Sequence, residues 1–335
     1  MSNASIRSLN DTARNTPAIV AVSRLRKHRM TVDVTGFFVL CYRLYFAPKS
    51  AIARIVRRWP LAQRPVNLLK GVIRRYLLPE RQVWLQVQKG LTQEMWMRLG
   101  LPGGARYWHG EHDLAVERAL RTGVCSGAVV YDVGAHLGYF ALGLARLVGA
   151  SGRVVAFDGD PDNVRGLREN AIKNRLGDNL QVVHAAVWSN TASDGIPFRR
   201  GVELRAQGGV ETDACRPVLG DGELIKVPVI TLDEFVARGG PLPDLIKIDV
   251  EGGEGEVLQG AARLFRDQRP LVVAEVHHVH ATEQISRWLE EYRYCAQWNV
   301  SNEPYPRQVF AWPAEYDGRA WMQRFEGYPS ESRAT

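Results

Sequence analysis

The sequence predicts an α/β protein built on a doubly wound, mostly parallel sheet. From Ala128 onward, short apolar runs of strand character alternate with helical patterns, the order that right-handed βαβ units produce. One of those runs, Val129-Val130-Tyr131-Asp132-Val133, breaks into a glycine turn that opens a helix, which is how α/β proteins build a nucleotide cleft. The composition, 335 residues with 45% hydrophobic and 24% charged, is ordinary for a folded domain of this kind.

Residues 1–80 read as a basic, partly helical arm. They hold 15 Lys and Arg against 3 Asp and Glu, a net +12, whereas the rest of the chain holds 28 against 33, a net −5. Ile52, Ile55, Val56 and Trp59 recur at helical spacing among Arg54, Arg57 and Arg58, and a second helical pattern runs from Val66 to Leu78. Basic amphipathic helices of this kind either pack on the main domain with solvated arginines or lie on an anionic membrane surface. The most apolar early stretch, Thr31 to Ala47, carries Asp33 and Arg43 and is too short and too charged to span a bilayer. The N-terminus lacks the apolar core of a secretory signal. Cys41, Cys125, Cys215 and Cys295 are too scattered for a zinc ribbon or a disulfide framework. The expected location is the cytoplasm, or peripherally the inner face of a membrane, and no nucleic-acid partner is expected.

Residues 81–127 lead into the core. Val83, Leu85 and Val87, then Met95, Met97 and Leu99, alternate around Lys89-Gly90, the pattern of a β-hairpin. After Arg106-Tyr107-Trp108-His109-Gly110-Glu111, which reads either as one wall of a cleft or as an acidic helix cap, a helix is expected from about His112 to Arg121. The core domain is expected over 128–313. Its strands are predicted at Ala128–Val133, Arg153–Phe157, Leu180–Val187, Leu224–Val229, Leu245–Val250, Leu271–Val276, Tyr294–Val300 and Arg307–Ala311. Helices are predicted at Gly138–Val148, Pro161–Arg175, Leu232–Ala237, Gly253–Phe265 and Thr282–Tyr292. Trp188–Glu223 reads as a long glycine-rich loop, and 314–335 as a tail.

The turn Gly134-Ala135-His136-Leu137-Gly138 has no Gly-x-Gly pair, which counts against a dinucleotide site and an NAD-dependent oxidoreductase. It also follows an acid, Asp132. A carboxylate there repels a diphosphate but attracts an ammonium group, and S-adenosylmethionine carries one. A second acid, Asp158, ends the next strand, where a ribose acceptor belongs.

Downstream, Ile246-Lys247-Ile248-Asp249-Val250-Glu251-Gly252-Gly253-Glu254, with Ile230-Thr231-Leu232-Asp233-Glu234-Phe235 before it and Arg269-Pro270…Glu275 after it, resembles the FkbM family of S-adenosylmethionine-dependent methyltransferases. So do Asp132-Val133-Gly134-Ala135, Gly138-Tyr139-Phe140, Val155-Ala156-Phe157-Asp158 and Asn170…Asn174. The resemblance covers roughly Tyr107 to Pro313. It implies the class I methyltransferase sheet of seven strands, the last antiparallel to the others, and O-methylation of a sugar, a glycan or a secondary metabolite. The sequence departs from the family in having His136 where Asn is usual, and Asp158-Gly159 where Glu-Pro is usual.

On this reading Asp132, Gly134, Ala135, His136 and Gly138 meet the methionine end of the cofactor, Asp158 the ribose, and the backbone at Ala186 the adenine, with Glu111 closing over the cofactor. Lys247, Asp249 and Glu251 alternate with apolar residues and share one face if the strand stays regular. Lys247 is expected to pair with a carboxylate. Glu275 and His277 end the neighbouring strand, so the acceptor's base is sought among Asp249, Glu275 and His277, in that order. No metal is required by this reading, although a divalent ion at Asp249 and Glu275 is an alternative. The rivals are the oxidoreductase and a non-catalytic scaffold that binds cofactor or glycan.

Overall fold

The structure is a computed structural model that describes residues 82–318, apart from 101–102, 202–207, 214, 216–218, 220–221 and 300–304. The expected basic arm and most of the tail lie outside the described residues. The hairpin is present: β1 (Gln82–Gln86) pairs antiparallel with β2 (Trp96–Gly100) and turns its alternate residues Leu85, Met97 and Leu99 inward. Two short helices follow, Ala105–His109 and Leu114–Gly123, the second capped by the Asp113 carboxylate.

The core is a seven-stranded sheet. Its strands are β3 (Val129–Val133), β4 (Arg153–Asp158), β5 (Leu180–His184), β11 (Leu245–Ile248), β12 (Leu271–Val276), β13 (Tyr294–Asn299) and β14 (Arg307–Pro313). Across the sheet they run β5-β4-β3-β11-β12-β14-β13. All are parallel except β14, which is inserted antiparallel between β12 and β13. The order reverses between β3 and β11, and the ends of those strands therefore flank a crevice where an α/β ligand site belongs. Tyr131, Phe157, Ile246, Val272 and Phe265 are fully buried in the apolar layer against the sheet.

Four expected elements are corrected. The run Leu180–Val187 is two strands: after β5 the chain bends at Ala185, and β6 (Ala186–Val187) leaves the main sheet to pair with β10 (Val229–Ile230). The expected strand Leu224–Val229 likewise splits into β9 (Leu224–Val227) and β10, because Pro228 has no N–H for a continuous ladder. The supposed loop Trp188–Glu223 contains β7 (Ile196–Arg199) and β8 (Gly209–Val210), which join β9 in a three-stranded antiparallel sheet. The helix expected over Gly253–Phe265 is two, Glu254–Gln259 and Ala262–Asp267, interrupted at Gly260. Among the described residues, no helix is long and apolar enough to cross a membrane.

Candidate active site

The site forms at the carboxyl ends of β3, β4, β11 and β12. After β3 the backbone turns through Gly134 (φ +78), His136 (φ +50) and Gly138 (φ +87) before the helix Tyr139–Val148 begins. Gly134 is obligatory, since a Cβ there collides with the Asp249 carbonyl. That left-handed geometry at 136 is tolerated by Asn and His better than by most residues, which accounts for the exchange of one for the other. His136 donates its backbone N–H to Asp158 Oδ2 at 2.7 Å, and its Nδ1 lies 3.3 Å from the Tyr107 hydroxyl. Burial pushes the imidazole down to about 4, so it is neutral at physiological pH.

Asp158 is a buried carboxylate at the end of β4. Its Oδ1 accepts from the Asp160 backbone at 2.8 Å and from the Asn163 amide at 3.2 Å. Burial raises its pKa to about 6 despite these donors. Ala185 and Ala186 continue the rim, their N–H groups bonded to the carbonyls of Asp158 and Pro228.

Strand β11 ends at Ile248, two residues earlier than expected, so the three charged groups do not share one regular strand face. A tight turn with Glu251 at φ +58 and Gly252 at φ +106 carries the third. Lys247 is nonetheless central. Its Nζ lies 3.1 Å from Asp132 Oδ1, 3.4 Å from Asp249 Oδ2 and 3.3 Å from the Gly134 carbonyl. Burial alone drives such an ammonium's pKa down, but Asp132 and Asp249 outweigh it and hold Lys247 above its ordinary value. Burial likewise pushes the Asp249 carboxyl up, and Lys247, His277 and His112 outweigh it, so Asp249 stays below its usual range. Asp249 Oδ1 is buried and has no hydrogen-bond partner.

His277 sits in a cage of acids. Its Nδ1 meets Glu254 Oε1 at 2.9 Å, and its Nε2 lies 3.3 Å from Glu251, 3.8 Å from Asp249 and 3.9 Å from Glu275. Burial would strip its proton, but Glu254 first, then Glu251 and Asp249, hold its pKa well above the usual histidine value. Burial pushes Glu251 up to about 8. Burial, the Asp249 charge and a hydrogen bond with Asp113 push Glu275 up to about 10. Near neutral pH His277 is therefore a cation and Asp249 is ionised, while Glu251 and Glu275 largely keep their protons.

Asp249, Glu251 and His277 could place three ligand atoms within 4.8 Å of one another, a set that omits the Glu275 of the expected pair. Both ring nitrogens of His277 already face carboxylates, so it would have to lose its proton to bind an ion.

Several expected residues are brought together here: Asp132, Gly134, Lys247, Asp249, Glu251, Glu275 and His277. Glu111 is not among them. Its side chain is 61% exposed and pairs with Lys89 at 3.8 Å. Sequence reasoning missed His112, Asp113 and Glu254 as parts of the site, although it offered the stretch holding Tyr107 as one wall of a cleft. Tyr107 and His112 pack ring to ring at 4.6 Å and enclose the Gly138 end of the turn with Tyr139 and Phe140. His112 is half-buried, and burial takes its pKa down to about 4. Only the aromatic density of 107–112 could have marked them.

The sheet order with its single antiparallel strand, and the acid-ended glycine turn beside a buried Lys-Asp pair, define a class I methyltransferase. Residues 132–295 match the methyltransferase FkbM domain. The chain is 31% identical over 215 residues to 31-O-demethyl-FK506 methyltransferase FkbM of Streptomyces tacrolimicus, covering 54% of this chain and 82% of that protein. It is 26% identical over 171 residues to hexuronic acid methyltransferase AglP of Haloferax volcanii, covering 49% of this chain and 62% of that one. A solved methyltransferase FkbM from Methylobacillus flagellatus superposes with TM-score 0.40 at 18% identity, covering 56% of this chain and 44% of that chain. The chain belongs to the FkbM family of S-adenosylmethionine-dependent methyltransferases. That membership removes the oxidoreductase as a reading of it.

Proposed function

We propose that the chain transfers the methyl group of S-adenosylmethionine to a hydroxyl of a sugar, a glycan or a small molecule. The two curated relatives act, by their names, on a demethylated FK506 and on a hexuronic acid. The observation that carries the reading is Asp249: one oxygen is held by Lys247, and the other is buried and makes no hydrogen bond, with His277 Nε2 at 3.8 Å. The acceptor's oxygen forms its bond to the methyl carbon as the carbon–sulfur bond breaks, and its proton passes to Asp249 Oδ1. Alignment supplies most of the rate in such a transfer, so a carboxylate of low pKa suffices as base. His277 and Glu275 hold protons of their own and are the weaker candidates. Lys247 fixes Asp132 and Asp249 in place. Asp132, Gly134, Ala135, His136 and Gly138 receive the methionine end, Asp158 the ribose, and the backbone at Ala186 the adenine.

Calorimetry with S-adenosylhomocysteine and a labelled-methyl assay on cell extract, its product identified by mass, test this. Asp132→Ala is expected to abolish binding, and Asp249→Asn to spare binding and remove turnover. Normal turnover in Asp249→Asn rules out the base assignment. Turnover is also expected to survive a chelator; its loss would instead assign an ion to Asp249, Glu251 and His277.

A further inference from the structure

The three-stranded sheet of β7, β8 and β9 meets the site at two places. At one end, the Phe198 ring lies against Gly159, the residue after Asp158: a Cβ at Gly159 would stand 2.7 Å from Phe198 Cε2. Phe198 is itself buried, in the same apolar cluster as Ala186, Trp188, Val210 and Val227. The ring thus packs against the loop that presents Asp158 and shares an apolar cluster with Ala186, the two places assigned above to the ribose and the adenine.

Arg200, at the end of β7, fastens this contact. Its Nε lies 3.3 Å from Asp160 Oδ2 and its Nη1 lies 3.4 Å from Glu223, while Nη2 pairs with Asp162. Asp160 in turn gives its backbone N–H to Asp158 Oδ1, and its own Oδ1 caps the following helix at Asp162. Arg200 is therefore one residue removed from the carboxylate that Asp158 presents. At the same end of the sheet, on the neighbouring strand where Gly209 pairs with Arg199, a Cβ on Gly209 would stand 3.3 Å from the Val250 carbonyl and 3.5 Å from Glu251 Cβ. This end of the sheet therefore touches both the ribose loop and the turn that follows Asp249.

We propose that Phe198 supplies the apolar wall for the nucleoside of the cofactor, and that Arg200 is a positioning residue that latches this wall onto the Asp158 loop. Gly159 leaves the room that the ring fills. A planar, apolar ring suits a nucleobase, whereas the ammonium and carboxylate of the methionine end require the polar turn at Asp132. The inference rests on the methyltransferase reading above.

The test is calorimetry on the full chain with two probes, S-adenosylhomocysteine and 5′-methylthioadenosine, which share the nucleoside while only the first carries the amino acid. Phe198→Ala is expected to raise Kd on the order of tenfold for both probes, by comparable factors. Phe198→Leu keeps an apolar side chain in the sheet's core but removes the flat ring, and is expected to raise both by roughly threefold. It decides the matter if the alanine variant does not fold. Arg200→Ala is expected to weaken both probes, and Arg200→Lys to recover most of the loss. Wild-type affinity in the Phe198 variants, or a loss confined to S-adenosylhomocysteine, overturns the proposal. If the unaltered protein binds neither probe, the methyltransferase-site reading fails instead.

Discussion

Lys247 and Asp132 stand directly opposite each other in the register of β11 and β3, and their charged ends meet at 3.1 Å in the fully buried centre of the sheet. A parallel strand covered on both faces has no water to solvate either charge, so Asp132 depends on Lys247, and Lys247 on Asp132 together with Asp249. Lys247→Met is therefore expected to lower the unfolding free energy by about 3–5 kcal/mol, measured by urea denaturation, because it strands two carboxylates. Lys247→Met with Asp132→Leu is expected to recover much of that loss without restoring S-adenosylhomocysteine binding. A single variant as stable as the parent contradicts the assignment.

The acids around His277 give stability an unusual pH dependence. Glu251, near 8, and Glu275, near 10, lie above their ordinary value of 4.5, and His277 lies above 6.5. The folded state thus binds more protons than the unfolded chain, and stability conferred at low pH is lost as pH rises through each folded pKa. Urea midpoints are expected to fall from pH 6 through 8 and on to 10. The decline should be shallower in Glu251→Gln and Glu275→Gln, which cannot ionise. A midpoint that rises over the same interval contradicts the assigned protonation.

Asp158 sets a different limb. A ribose hydroxyl donates to an ionised carboxylate, and this one has a pKa of about 6 in the free protein. S-adenosylhomocysteine affinity is expected to weaken below that pH, approaching about tenfold per pH unit as proton and ligand compete. In Asp158→Asn the affinity should be low and flat across the same range. An unchanged limb in the variant would place the titrating group elsewhere.

The sequence made the main sheet legible because the signals there are local. Alternation located β3, β4, β11 and β12, and the acid before Gly134 distinguished a methyl-donor turn from a dinucleotide one. Where the outcome depends on distant partners, the reading was wrong or silent. Nothing near Ala186 announces that the chain leaves the sheet to pair with Val229, more than forty positions on. His277 meets Glu254, which lies beyond the turn that follows β11, a contact no local pattern shows. Nothing near Gly159 announces that the Phe198 ring, from a strand nearly forty positions on, packs against it. His136 looked anomalous because the backbone conformation it must adopt is invisible in sequence.

Asn170 and Asn174 were legible only as a pattern, and the structure supplies their reason. Asn174 gives and takes hydrogen bonds with the Trp96 backbone at 2.7 and 2.8 Å, pairing with the edge of β2 as another strand would. Asn170, fully buried, accepts from the Arg98 N–H at 2.8 Å and donates to the Leu137 carbonyl at 2.9 Å. One side chain thus joins the hairpin to the cofactor turn. Asn170→Ala leaves both backbone groups without a partner and is expected to cost about 2–4 kcal/mol in urea unfolding. It should also weaken S-adenosylhomocysteine binding, because the turn loses its tie at Leu137. Asn174→Ala, half-buried and remote from the turn, should cost about 1 kcal/mol and leave affinity unchanged. Equal effects of the two substitutions on binding contradict a specific link through Asn170, since only that residue touches the turn.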